Sequence, residues 1–283
     1  MSGCEGTDPV CQIGDVALEH TLREAERIAR TAGQAIRALR ERGAVAEQLK
    51  NGVELVTEAD LLSHRIIAEE LERAFPGHTL LSEEGVGAVD IASDRPLWVA
   101  DPLDGTVGYA NHHYQAAVSL ALCVGGEVCC GVVYNPFLEE LFSAAKGGGA
   151  HLNGAPIRVK PVRSLGECVV GTGIPHNKEE LPALLERLGR ILPRIRDVRR
   201  LGSPALDICW VACGRLQAFY EASLHPWDVA AARLIAAEAG ARIGHFLPPE
   251  QPALPPDLNG HGIVVANPEV YEPLLELLWD DTK

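Results

Sequence analysis

From Leu18 onward, apolar residues fall at Leu22, Ala25, Ala29, Ala32, Ile36 and Leu39, in alternating steps of four and three. That spacing keeps one face of a helix apolar and predicts a long amphipathic helix that starts at Asp15 and stops near Gly43. Lys50-Asn51-Gly52 then marks a turn between two short extended pieces. Thr57 with Asp60 three residues later resembles a capping box, ahead of a second helix carrying Leu62, Ile66, Leu71 and Phe75. The pattern next shifts to strands: HTLLSEE after Pro76-Gly77, the short run Trp98-Val99-Ala100, and AAVSLALCV and EVCCGVVYN flanking Gly125-Gly126 as a hairpin. In a regular strand the neighbours Cys129 and Cys130 point to opposite faces. ELFSAA is a further strand, leading into the turn KGGGAHLNG.

The remainder alternates apolar strands with helices. CVVGTG is a strand and residues 178–190 a helix. Ser203-Pro204 begins another helix, with Ser as N-cap and Pro in the first turn. QAFYE is a strand ending in Glu221, followed by a helix from Val229 to Glu238 that Gly240 stops. GIVVAN and a last helix after Pro268 close the chain. Residues 1–14 show no period and are read as a loose tail. The change in character divides the chain into an α+β part over 15–160 and an α/β part over 161–283.

At 283 residues, 47% hydrophobic and 23% charged, the chain has the composition of a globular protein with a sizeable core. No run approaches the roughly 18 apolar residues of a membrane span. The first twenty residues lack the basic start and apolar core of a secretory signal, so the expected compartment is the cytoplasm. A net charge of −14 argues against direct nucleic-acid binding and against an anionic membrane surface. It does not argue against a phosphorylated metabolite, because bound cations reverse the local sign. The eight cysteines are not spaced as a disulfide framework. Cys209 and Cys213 share a helix face but have no second pair at zinc spacing, so they read as small core residues. The glycines of KGGGAHLNG are not followed by the GK[ST] of a phosphate-binding loop and read as turn residues.

The chemistry gathers at strand ends. Trp98-Val99-Ala100 stops at Asp101, and Asp101 and Asp104 bracket a stiff Pro102-Leu103 before Gly105 and Thr106. Two carboxylates, the Leu103 carbonyl and the Thr106 hydroxyl thus surround one small volume, and hard oxygen donors of that kind suit Mg²⁺. If a helix opens after Asp104, its first amides face an anion. Asp, Pro and Gly are equally the residues of an ordinary polar turn. Glu83 and Glu84 end another strand, while Asp60 and Asp228 stand in first helical turns, where the dipole alone favours a carboxylate.

VTEAD at 56–60, LLSEE at 80–84, WVADPLDGT at 98–106 and HPWDVAAARLIAAEAG at 225–240 resemble the inositol monophosphatase family, in order and in spacing, from about residue 15 to the C-terminus. The resemblance implies a layered α/β/α/β/α sandwich, an antiparallel-sheet half packed on an α/β half, and a homodimer. It implies Glu83, Asp101, Asp104, Asp228 and the Leu103 carbonyl as ligands of two or three Mg²⁺. Thr106 and Asp60 match the family's pair that orients the attacking water, with Glu83 beside them. The amides of Gly105 and Thr106 would take phosphate oxygens, Glu221 a substrate hydroxyl, and His225 a place next to it. Glu84 is read as a supporting acid, and Lys50 falls one residue out of register with a family lysine. The implied activity is Mg²⁺-dependent, Li⁺-sensitive hydrolysis of a phosphate monoester such as inositol 1-phosphate. Fructose 1,6-bisphosphate, histidinol phosphate and 3′-phosphoadenosine 5′-phosphate are alternatives. A regulatory protein associating with transcription machinery is the alternative of another class.

Some residues depart from the family's pattern. Val107-Gly108-Tyr109 lacks the Asn usual after DGT, Asn111-His112-His113 replaces a glycine-and-proline turn, and Pro204 stands where Ala is common. These bear on specificity and remove no ligand. His112 and His113 read as loop or interface groups, since Mg²⁺ prefers oxygen.

Overall fold

Helix α1 (Asp15–Glu41) buries the stripe its sequence predicts, from Leu18 through Ala25, Ala29 and Ala32 to Ile36. The computed structural model describes residues 15–43, 47–50, 54–85, 91 and 95–279. The expected tail over 1–14, the Asn51-Gly52 turn and the side chain of Lys50 lie outside the described residues.

Strands β1 (Glu47–Lys50) and β2 (Glu54–Thr57) pair antiparallel and lead into α2 (Glu58–Ala74). A seven-stranded sheet follows in chain order: β3 (Thr79–Ser82), β4 (Leu97–Asp104), β5 (Ala117–Val124), β6 (Glu127–Asn135), β7 (Glu140–Ala145), β8 (Ala150–Leu152) and β9 (Ala155–Ile157). Only the β3–β4 pair in it is parallel. The one-turn helix α3 (Thr106–Ala110) sits between β4 and β5. The rest of the chain runs β10 (Val169–Thr172), α4 (Leu181–Ile191), β11 (Asp197–Arg199), α5 (Pro204–Ala212), β12 (Ala218–Glu221), α6 (Pro226–Glu238), β13 (Arg242–His245), β14 (Ile263–Ala266) and α7 (Pro268–Leu278). Its strands form a second sheet in the order β11-β10-β12-β14-β13, parallel among the first three and antiparallel beyond.

Strand alternation sorts the side chains into three cores and thereby sets the layers. Trp98, Ala100, Val118 and Leu120 pack with Ile28, Ala32 and Ile67 under α1 and α2. Val99, Ala121 and Phe142 face the other way and join Leu206, Ile208, Ala231 and Ile235 of α5 and α6. Phe219, Ile263 and Val265 close that middle core from the second sheet, whose outer face packs Val170, Tyr220 and Val264 against Leu274 and Leu278 of α7. The order of layers is α/β/α/β/α, as the resemblance implied.

Three expectations change. Strand β4 does not stop at Asp101 but continues to Asp104 through a bulge, with Asp101 opposite Ser119 and Asp104 opposite Ala117. Pro102 has no N–H to give the ladder, and the one extra residue absorbs that defect. A second bulge lies in β6: Cys130 pairs with Leu122 and Val128 with Cys123, leaving Cys129 unpaired. Cys129 and Cys130 therefore both enter the core under α1 instead of pointing apart. Helix α6 starts at Pro226, three residues before Val229, because proline's fixed φ suits a first turn. Strands β8, β9, β11 and β13 hold three or four residues each, too few for a period to show. Among the described residues no helix is long and apolar enough to cross a membrane, and their six cysteines are free.

Candidate active site

The bulge in β4 is where the site begins. Pro102 and Leu103 leave the ladder, and their polar groups find side-chain partners instead. The Leu103 N–H donates to Asp101 Oδ1 at 2.9 Å, and the Pro102 carbonyl accepts from Ser63 Oγ of α2 at 2.7 Å. Gly105 then turns the chain at φ +90°, where a Cβ would stand 2.7 Å from the Gln115 carbonyl, so only glycine fits. The turn brings Thr106 back over the bulge, its hydroxyl within 3.0 Å of the Leu103 carbonyl and 2.9 Å of Asp60 Oδ1.

Asp60 serves two elements at once. Its Oδ2 accepts from the Thr57 N–H and from the Thr57 hydroxyl, both at 2.7 Å, which caps α2, while its Oδ1 takes Thr106. Burial pushes its pKa up, and the Thr57 and Thr106 bonds oppose that.

Asp104 reaches across to the other half of the chain. Its Oδ2 accepts from Ser203 Oγ at 2.5 Å and from the Ala205 N–H at 2.9 Å. Ser203 was expected to cap α5 with its own side chain and makes no such bond. Instead Asp104, from the first sheet, supplies the acceptor at the helix start, and Ser203 helps hold that carboxylate. Asp228, in the first turn of α6, is fixed by the His225 N–H on its Oδ2 at 2.7 Å.

Asp101, Asp104 and Asp228 each offer a carboxylate oxygen within 4.8 Å of the others. Glu83, delivered by the end of β3, joins them through a hydrogen bond between its carboxyl and that of Asp101. Burial first, and then the charge of Asp228, push Glu83 up to about 8. Burial first, then the neighbouring carboxylates, hold Asp101 and Asp104 well above the usual range. A bond between two carboxyls needs a proton. This set of close, buried, hard oxygen donors, several of them with pKa values raised by burial and by each other's charge, fits a divalent cation that would favour their charged forms.

The acids open onto a cavity of about 720 Å³. Leu103, Gly105 and Thr106 line it beside the acids, and Glu221, His225, Asp207, Arg200 and Lys178 line it from the second half. Glu221, at the end of β12, is pushed up to about 8, by burial first and then by Asp228. It packs so closely on Gly173 that a Cβ there would stand 1.9 Å from its Oε1. The His225 ring is exposed and stacks on Trp227 at 4.9 Å between centroids. Thus all the expected site residues meet at one cavity except Asp60, which touches it through Thr106. Glu84 lies on the same turn as Glu83, close enough to Asp60 to raise its pKa. His112 and His113 are exposed and do not line the cavity.

A profile of the inositol monophosphatase family matches residues 17–283. The chain belongs to that family. It is 36% identical over 269 residues to inositol monophosphatase 1 of Solanum lycopersicum, covering 93% of this chain and 96% of the relative. It is 34% identical over 268 residues to Nus factor SuhB of Escherichia coli K12, covering 92% and 96%. The solved structure of extragenic suppressor protein suhB from Bartonella henselae superposes with a TM-score of 0.83 at 32% identity, over 93% of this chain and 99% of that one. SaIMPase-II, at 27% identity and a TM-score of 0.75, has been solved with inositol monophosphate bound and with 2′AMP bound. The match covers 91% of this chain in both cases, and 92% and 94% of the two solved chains. The protein is a phosphomonoesterase of the inositol monophosphatase family, with an acidic cluster able to hold metal.

Sequence reasoning missed several residues of this wall. Ser203, just behind the wall, has the local form of a helix cap and instead holds Asp104. Gly173 was an unremarked strand residue. Asp207 had one visible signal, an acid among Ala205, Leu206, Ile208 and Cys209, where a helix is otherwise wholly apolar.

Proposed function

We propose that this phosphomonoesterase hydrolyses an inositol-1-phosphate-type monoester with Mg²⁺. Glu83, Asp101, Asp104, Asp228 and the Leu103 carbonyl hold two or three ions in this reading. The observation that carries it is the meeting of three carboxylates within 4.8 Å at the floor of a cavity large enough for a sugar-sized ester. Four carboxylates balance the charge of two Mg²⁺. When bound, Mg²⁺ lowers the pKa of water and neutralises charge on phosphoryl and leaving oxygens.

The protein's own groups orient the reaction. The Thr106 hydroxyl directs its proton to Asp60 Oδ1, so its oxygen is turned to accept a proton from water entering the cavity. A water proton passes to the Thr106 oxygen as the Thr106 proton passes to Asp60. The water oxygen, with Glu83 beside it, bonds phosphorus in line, the ester P–O bond opposite breaks, and the leaving alkoxide takes a proton from solvent water. The amides of Gly105 and Thr106 donate to phosphate oxygens, and Glu221 accepts a hydroxyl of the leaving alcohol, flanked by His225. Inositol monophosphate in SaIMPase-II supports the substrate class; 2′AMP in the same protein keeps nucleotide monoesters within the test. On the family resemblance, we propose a cytoplasmic, Li⁺-sensitive homodimer.

The test is phosphate release, with and without Mg²⁺, from inositol 1-phosphate, fructose 1,6-bisphosphate, histidinol phosphate and 3′-phosphoadenosine 5′-phosphate. Asp101→Asn runs in parallel. Dominant, Mg²⁺-dependent turnover of inositol 1-phosphate that the variant lacks supports the reading. Preference for another ester replaces the substrate, and no release from a folded protein rejects the catalytic reading for these four. The likeness to a Nus factor favours a second reading, association with transcription machinery. A pull-down with Asp104→Asn would capture the same partners as wild type if that role is independent of metal.

A further inference from the structure

Asp207, like Glu180, is an acid lining this cavity that neither the family resemblance nor the reaction above uses, and of the two only Asp207 is buried. It stands in the first turn of α5, 2% exposed, and lines the cavity shared with Glu221. Its Oδ1 is sealed from solvent and has no hydrogen-bond partner among the described residues. A buried carboxyl oxygen left without a donor is costly, and an Asn or an apolar residue would fill a purely structural place at lower cost. Attraction to the helix start does not require a place in a cavity wall. The nearby charges are Asp104, Glu221 and Arg200. Arg200 is near enough to Glu221 to pull its pKa down as well, and the guanidinium and both carboxyls line the one cavity. Hydroxyl groups are complementary to such a wall, because each gives a proton to a carboxylate and offers its oxygen to a guanidinium.

We propose that the Asp207 carboxyl, by a turn of its side chain that brings the unpartnered Oδ1 to the cavity, accepts a hydrogen bond from a second hydroxyl of the leaving alcohol, beside the one Glu221 takes. This rests on the reading of the cavity as the monoester site. Asp207 is then a specificity residue: it touches the alcohol, not the phosphorus.

The experiment measures kcat and KM of wild type, Asp207→Asn and Asp207→Ala on inositol 1-phosphate and its monodeoxy analogues at saturating Mg²⁺. Losing this hydrogen bond and leaving the substrate hydroxyl unpaired corresponds to about 10- to 100-fold in kcat/KM. The expected result is a loss of that size for Asp207→Ala on inositol 1-phosphate, mostly in KM, with a smaller loss for Asp207→Asn, which keeps an acceptor oxygen. On the one analogue that lacks the contacted hydroxyl, that loss shrinks to about twofold, because the contact is already gone. An equal loss on every analogue would make Asp207 structural and overturn the proposal, as would no loss on any. Asp207→Asn has nearly the same shape, which keeps the comparison valid if the alanine variant fails to fold. If wild type releases no phosphate from inositol 1-phosphate, the functional reading falls and this proposal with it. If wild type is active and the pattern is absent, only the role of Asp207 falls.

Discussion

Gly173→Ala tests how the substrate wall is held. A methyl group at that position would lie 1.9 Å from Glu221 Oε1, 2.0 Å from its Cδ and 2.1 Å from Oε2. Ordinary contact is about 3.5 Å, so the carboxylate must retreat by roughly 1.5 Å. Gly173 does not have a positive φ, so alanine brings no backbone strain and the whole effect falls on Glu221. A misplacement of about 1 Å in a binding group can cost on the order of 100-fold. The expected outcome is a fall of about that size in kcat/KM for inositol 1-phosphate, carried mainly by KM. The midpoint of thermal unfolding should move by no more than a few degrees. Steady-state kinetics and a melting curve on the same preparation decide it. A KM within about twofold of wild type, in a folded variant, would refute the claim that the Gly173 contact sets the place of Glu221.

Without divalent ions, stability should fall as pH rises from 5 to 8. Glu83 and Glu221 reach about 8 in the folded chain, above the 4.5 they have unfolded, so across that window the folded state binds more protons. Their protonated form favours folding fully below pH 4.5, and that advantage is lost as pH climbs through the folded values. The melting point in chelator should drop by roughly 5–10 °C across the window, while saturating Mg²⁺ flattens the slope; an unchanged slope with Mg²⁺ would contradict the assignment. Ser203→Ala removes one of two bonds to Asp104 Oδ2. A bond to a charged group contributes about 1.5–3 kcal/mol, so the Mg²⁺ concentration for half-maximal activity should rise about tenfold. A Mg²⁺ titration of activity that overlays wild type would show that Ser203 does not hold the ligand.

What could be read from the sequence was what rests on period or on contiguous motif. The stripe of α1 marks its buried face, and the continuous apolar runs of β4 to β7 mark strands buried on both faces, so the layers followed. DPLDGT carries two carboxylates, a carbonyl and a hydroxyl within six residues, and local geometry alone brings them together. Contacts across the chain were hidden because no local rule encodes them. Ser203 before Pro204 has the form of a helix cap at every local level, and only the docking of the two sheets turns its hydroxyl to Asp104. The bulge at Cys129 was equally silent, since strand alternation presumes an unbroken ladder and nothing in EVCCGVVYN breaks it. Asp207 stood out as polar in an apolar helix, but what it faces depends on Arg200 and on Glu221, which arrive from a loop and from another strand.

The bond from Asp104 to the start of α5 makes competence conditional on completion. A chain whose second sheet has not docked lacks Asp228 beside the first two aspartates and leaves Asp104 without its anchor. Such a chain has only part of the acidic cluster and only one side of the cavity wall. During synthesis the first half leaves the ribosome well before α5 and α6, so on the proposed function the site stays incomplete in the interval. On the proposed function, activity waits for the finished tertiary structure, and a lesion that loosens the joint between the sheets weakens it, as Ser203→Ala is expected to.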